Sequence, residues 1–180
     1  MPFYSQFKDI ISPKWQKVGC GITSLAMLID FYKPEAAVSV NALLSQGIAA
    51  GAYDKNAGWI YKGLIKLSQK YGLNGTYYDL SKLGTETAFT RFKNYLKDGP
   101  VMLVVHYQFD PKSTIPHLVV INGIDADKGV IYYNDPAAKT GEKQISVANF
   151  LKGWKKKVIA FRPVKESKGI ALLPANGAKY

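Results

Sequence analysis

The sequence predicts an α+β fold, with a helical half followed by an antiparallel-sheet half and a cleft between them. Apolar residues recur at helical spacing through most of the chain up to about residue 98. Beyond it, short Val-, Ile- and Tyr-rich runs bounded by turn residues dominate. The two kinds of segment are largely segregated along the chain, which favours α+β over an alternating α/β arrangement.

The first helix is expected at 20–32, where Cys20-Gly21-Ile22-Thr23-Ser24-Leu25-Ala26-Met27 leaves a glycine-containing loop. The second, at 39–50, has Ser39 placed to cap Val40-Asn41-Ala42-Leu43-Leu44. In the third, at 57–72, Trp59, Ile60, Gly63, Leu64, Leu67 and Tyr71 recur at helical spacing, and Gly72 is the C-cap. A strand follows at 75–79. The fourth helix, at 85–98, puts Ala88, Phe89, Phe92, Tyr95 and Leu96 on one face and stops at Asp98-Gly99-Pro100. Strands are expected at 100–107, 117–124 and 129–133, the last two forming a hairpin closed by Asp125-Ala126-Asp127-Lys128-Gly129. A helix at 146–155 and a strand at 157–162 complete the body. Residues 1–163 read as one domain and 164–180 as a C-terminal tail, loosely packed or docked on the body through Ile170-Ala171-Leu172-Leu173.

A chain of 180 residues is large enough for one core and too short for two comfortable domains. Twelve tyrosines, eight phenylalanines and three tryptophans serve that core first, though they also suit a groove for extended polymers. The net charge of +11, from 24 basic and 13 acidic residues, reads either as a plain solvated basic surface or as one with weak adhesion to anionic wall polymer or membrane surface. Arginine is limited to Arg91 and Arg162, and no nucleic-acid motif is present, so no specific nucleic-acid partner is expected. No apolar run approaches the roughly 20 residues that a membrane span needs. Met1-Pro2-Phe3 lacks a signal-peptide core.

Cys20 is the single cysteine. It stands at the first turn of its helix, where free backbone N–H groups and the macrodipole favour a thiolate. Two histidines are available as partners, His106 and His117. His106 ends a buried-strand pattern and reads as structural or cleft-lining. His117 opens a strand just after Pro116, and the hairpin puts it beside the end of the next strand, at Asn134-Asp135-Pro136. A base oriented by a carboxamide or carboxylate is what a cysteine nucleophile requires. Asp135 also suits a plain turn role before Pro136, and Asn134 could orient the ring instead. Trp59 reads as a core residue heading its helix more than as a cleft roof. One cysteine and two histidines have no close ligand spacing, so neither a metal nor another cofactor is expected.

Pro2-Phe3-Tyr4-Ser5-Gln6, Gly19-Cys20-Gly21-Ile22-Thr23-Ser24-Leu25-Ala26-Met27, Gly58-Trp59, His117-Leu118-Val119-Val120-Ile121-Asn122-Gly123-Ile124-Asp125 and Asn134-Asp135-Pro136 resemble, in order, the motifs of the C39-like cysteine peptidases. These are bacterial papain-like proteins related to double-glycine leader peptidases. The resemblance runs from about residue 2 to about 162, with Ser146–Trp154 matching the closing helix. It implies a papain-like fold with Cys20 as nucleophile, His117 as base, Asp135 as third member and Gln6 completing the oxyanion hole. Gln16, nearer to the cysteine, competes with Gln6. Ile22 stands where the family commonly has proline after Cys-Gly, which bears on how the chain approaches the helix.

The function implied is hydrolysis of peptide or isopeptide amide bonds through a thioester on Cys20. The alternatives are a catalytically silent binding module of the same fold, and an acyltransferase or amidase using the same Cys-His-Asp site. Leader trimming ranks lower, since it predicts fusion to a transporter. The expected partner is a peptide or protein substrate, and the expected state is a monomer. The expected setting is extracytoplasmic or at a bacterial cell surface, with any export signal outside this sequence. A cytoplasmic setting stays open.

Overall fold

The computed structural model describes residues 1–164. The expected tail lies outside the described residues except for Val164, whose N–H donates to the Gly72 carbonyl at 2.8 Å.

After an irregular N-terminal segment with a turn at 6–9, and a single turn of helix, α1 (Pro13–Gln16), the chain enters α2 (Cys20–Tyr32). Every α2 residue from Gly21 to Ile29 is buried, because the helix lies between the sheet and two further helices. Next come α3 (Val40–Ala49), the short strands β1 (Tyr53–Asp54) and β2 (Gly58–Trp59), and α4 (Tyr61–Gln69). The Ser39 hydroxyl accepts the Ala42 N–H at 3.3 Å, the expected cap on α3. The rest comprises β3 (Leu73–Asp79), α5 (Thr85–Lys97), β4 (Val101–His106), β5 (Pro116–Asp125), β6 (Val130–Asn134), β7 (Lys143–Ser146), α6 (Val147–Gly153) and β8 (Trp154–Pro163).

The third expected helix is shorter than its apolar spacing implied. Residues 57–60 are not helical, since Gly58 and Trp59 pair with Asp54 and Tyr53 in a small antiparallel ribbon. The Asp54 carboxylate accepts the N–H groups of Asn56 and Ala57, both at 2.8 Å, and Gly58 takes φ of 76°. That side chain-to-backbone pairing competes with the helical ladder and closes a turn instead.

The main sheet has six strands in the order β3-β8-β4-β5-β6-β7, every neighbouring pair antiparallel. Its inner strands are apolar on both faces. Met102, Val104, Leu118, Val120, Ile159 and Phe161 meet α2, α3 and α4. The alternate residues Val101, Leu103, Val105, Val119, Ile121 and Val158 meet Phe92 of α5 and Phe150 of α6. Each such side chain contributes about 1.5–3 kcal/mol on burial, and a one-residue slip would exchange the two cores, so register is tightly specified. That register matters because it sets where the ends of β5 and β6 fall.

Candidate active site

Cys20 occupies the first position of α2, with Gly19 as N-cap, and its side chain is half-buried. Backbone N–H groups at a helix start have no intrahelical acceptor, so the cysteine's own N–H is free to donate. The site forms where this helix start meets the open end of the sheet.

The second group comes from the hairpin. β5 and β6 pair through Val120↔Asn134 and Asp125↔Val130, with a bulge between Ile121 and Gly123. This brings the start of β5 level with the residues just past β6. The His117 ring lies beside the Asp135 carboxylate, Nε2 to Oδ1 at 2.6 Å, with His117 4% exposed and Asp135 8% exposed. An ionised carboxylate only accepts, so Nε2 carries the hydrogen and Nδ1 is left for the sulfur. Asp135 Oδ1 also accepts the Ala137 N–H at 2.8 Å, which fixes the carboxylate from the far side.

The electrostatics follow from this packing. Burial of the His117 ring works against its charged form. Hydrogen bonds to Asp135 and to the Cys20 sulfur, and then the charges of both, outweigh burial and push the imidazole up to about 9. Burial likewise raises the Asp135 carboxyl, but the His117 hydrogen bond and charge, with the Ala137 N–H, hold it below its ordinary value. Both directions agree with an ion pair.

Gln6 is 4% exposed and lines the same groove as Cys20. Its Nε2 donates to the Gln16 carbonyl at 2.7 Å. An amide nitrogen carries two hydrogens, so one remains for a bound group. The Gln16 side chain lies elsewhere, donating from Nε2 to the Ile10 carbonyl at 2.8 Å, and only the Gln16 backbone oxygen meets Gln6. Asn134 is likewise displaced as the partner of the imidazole. It is fully buried, donates from Nδ2 to the Pro2 carbonyl at 3.0 Å and accepts the Glu142 N–H at 2.8 Å. Alternation along β6 sends residue 134 to the opposite side from residue 135.

The groove has a volume of about 570 Å³ and is lined by Gln6, Cys20, Trp59, Tyr61, Tyr107 and His117, among others. Trp59 is both a core residue and a groove wall. It is 6% exposed, packs on Gly21, and donates from Nε1 to the Val18 carbonyl at 2.6 Å. His106 points away, its Nδ1 2.6 Å from the Ser113 carbonyl. Tyr107 is among the groove residues that sequence reasoning passed over, with Tyr53 and Tyr61; no turn-forming residue in Tyr107-Gln108-Phe109 marks it. Among the described residues, no cluster of three His, Cys, Asp or Glu side chains could hold a metal. No helix there is long and apolar enough to cross a membrane.

The fold has solved counterparts. A double glycine motif protease from an AMS/PCAT transporter, in complex with the leader peptide, superposes with a TM-score of 0.60 at 21% identity, covering 90% of this chain and 91% of that one. A C39-like peptidase from Bacillus anthracis gives 0.60 at 18% identity, with 89% and 94% covered. The peptidase domain of Streptococcus ComA, a bifunctional ABC transporter, gives 0.61 at 18% identity, with 82% and 93% covered. At these identities the likeness shows the fold, which is α+β and papain-like. None of the curated proteins matches the chain. A family model matches residues 1–158, and on that match the chain belongs to the Peptidase_C39 like family.

Proposed function

We propose that the protein is a cysteine peptidase that hydrolyses peptide amide bonds through a thioester on Cys20. The observation that carries this is the imidazole of His117, hydrogen-bonded to Asp135 at Nε2 and lining the same groove as Cys20 at the start of α2. Family membership and the peptide-bound relative of the same fold support a peptide occupant for the groove.

The chemistry follows from the positions of the atoms. The Cys20 thiol gives its proton to His117 Nδ1, and the thiolate attacks the scissile carbonyl carbon. Charge then develops on the carbonyl oxygen, where the Cys20 N–H and the second amide hydrogen of Gln6 donate. One such donor is worth about 2.7–4 kcal/mol. The imidazolium returns its proton to the leaving amine as the C–N bond breaks, leaving a thioester. Water, deprotonated by His117, attacks the thioester, and the thiolate leaves as the acid is released. Asp135 keeps the ring in the tautomer that these transfers need.

The test uses an epoxide inhibitor of thiol peptidases together with a panel of peptides. The epoxide should label Cys20 selectively, and hydrolysis should create new amine termini. Cys20→Ala should abolish both while leaving the unfolding temperature within a few degrees of wild type. Selective peptide binding without epoxide labelling would make the protein a binding module instead. Acyl groups passed to an acceptor other than water would make it an acyltransferase.

A further inference from the structure

β4 ends at His106, and the chain turns through Tyr107–Phe109 before looping back to β5 and His117. Two consecutive residues in that turn, Gln108 and Phe109, have φ of 56° and 57°. Left-handed backbone at non-glycine residues costs free energy and persists only where the surroundings enforce it.

Here they do. Phe109 is 6% exposed and packs against Tyr133 and Phe150. Gly153 at the end of α6 passes so close that an added Cβ would lie 2.5 Å from the Phe109 Cα and carbonyl oxygen. On the loop's other side, the Tyr107 N–H donates to the Ile115 carbonyl at 3.1 Å, and His106 Nδ1 holds the Ser113 carbonyl at 2.6 Å. The pinned turn presents Tyr107 to the groove. Its ring stands at 80° to the His117 imidazole, with centroids 5.3 Å apart. The contact is ring against ring and needs no hydroxyl.

We propose that Tyr107 is a positioning residue for His117, fixing the tilt of the imidazole and keeping water off it. The Asp135 bond at Nε2 still lets the ring rock about that contact, and a perpendicular aromatic neighbour removes that freedom. This rests on the reading of His117 as the proton acceptor of Cys20. The strained turn at 108–109 is the device that holds Tyr107 there, anchored through Phe109 to α6 rather than to the groove.

The test is the pH profile of Cys20 alkylation by iodoacetamide, measured on the full chain alongside peptide hydrolysis and thermal unfolding. In wild type, alkylation at neutral pH should run well ahead of that of His117→Ala, because the imidazole takes the thiol proton. Tyr107→Ala and Tyr107→Leu should slow alkylation at neutral pH by about tenfold or more and move its pH profile towards that of His117→Ala. They should lower kcat far more than they raise KM. Tyr107→Phe should rescue both the rate and the profile. Profiles of the Ala and Leu variants that overlay wild type would overturn the proposal, as would loss of folding in both, which would make Tyr107 a core residue only. Alkylation reads the sulfur–imidazole pair whether or not a peptide is cleaved. A wild type that is alkylated in this way but hydrolyses nothing therefore removes the proposed function and leaves the role of Tyr107 measurable.

Discussion

The backbone N–H of Gln6 donates to the carbonyl of Pro136 at 2.8 Å, joining the segment that carries the glutamine to the turn that carries Asp135. Asn134 adds a second tie through the Pro2 carbonyl and a third to the Glu142 N–H. The Gln6 segment and the Asp135 carboxylate are thus held by one short stretch, 134–136.

Asn134→Ala would strip the Pro2 carbonyl and the Glu142 N–H of partners at a fully buried position. Each buried group left unsatisfied costs about 1–3 kcal/mol. Urea denaturation should show a loss of that size. With the N-terminal segment released, kcat should fall while Cys20 alkylation stays near wild type, because the sulfur–imidazole pair is not touched. Equal losses in both measurements would argue against a specific coupling to Gln6.

The pH dependence of stability has a definite sign. The folded-state pKa of His117 is raised from 6.5 to about 9, so its contribution is fully present below pH 6.5 and disappears as pH rises through about 9. The folded-state pKa of Asp135 is lowered from 3.8, so its contribution is present above that value and disappears as pH falls. The pair therefore stabilises most between these limits. The wild-type urea midpoint should fall between pH 6.5 and about 9 relative to that of His117→Gln. Asp135→Asn, which removes the largest effect raising the imidazole, should move that fall to lower pH. Parallel wild-type and His117→Gln curves across this window would show that folding does not shift the ring.

The hairpin made His117 and Asp135 legible together, because antiparallel pairing fixes which ends meet whatever the rest of the chain does. α2 and the inner strands were legible for a similar reason: their apolar patterns are strong and local. Trp59 and Ile60 continue the period of Leu64 and Leu67 by coincidence, and the Asp54 side chain decided against helix there. β7 escaped notice because Lys143-Gln144-Ile145-Ser146 is short and polar, and only its pairing with β6 makes it a strand. That Gln6 lines the groove while the Gln16 side chain bonds the Ile10 carbonyl depends on contacts with Pro136 and Ile10, which no local pattern encodes. The same holds for Tyr107, whose turn is imposed from Gly153.

Gln6 and Gln16 can be separated by one pair of variants. Gln6→Ala removes a donor aimed at the groove and should lower kcat by about 10²–10³-fold. Gln16→Ala removes only a bond to the Ile10 carbonyl, on a half-buried side chain. It should cost about 0.5–1.5 kcal/mol of stability and leave kcat within a few-fold of wild type. Hydrolysis rates at saturating peptide decide between them, and the reverse order of effects would return the oxyanion role to Gln16.

Gly21 and Gly47 flank the Trp59 indole from two helices, and the same substitution should have different effects at each. A Cβ on Gly21 would lie 2.6–2.9 Å from Trp59 atoms, closer than real contacts allow. The indole cannot simply step back, since its Nε1 is bonded to the Val18 carbonyl at 2.6 Å. At the second position of α2 an alanine gains little from helix propensity, so overpacking dominates at about 1–3 kcal/mol. At Gly47 the nearest atoms are the side-chain ends of Ile22, Trp59 and Leu67 at 3.0–3.4 Å, contacts that small shifts relieve. That site is inside α3, where replacing glycine by alanine returns about 0.8–1 kcal/mol, so the two effects nearly cancel. Gly21→Ala should therefore lower the urea midpoint and, by moving a groove wall beside Cys20, lower kcat/KM. Gly47→Ala should be close to neutral in both. Equal behaviour of the two variants would mean that the indole is free to move, and that Trp59 does not define the wall of the groove.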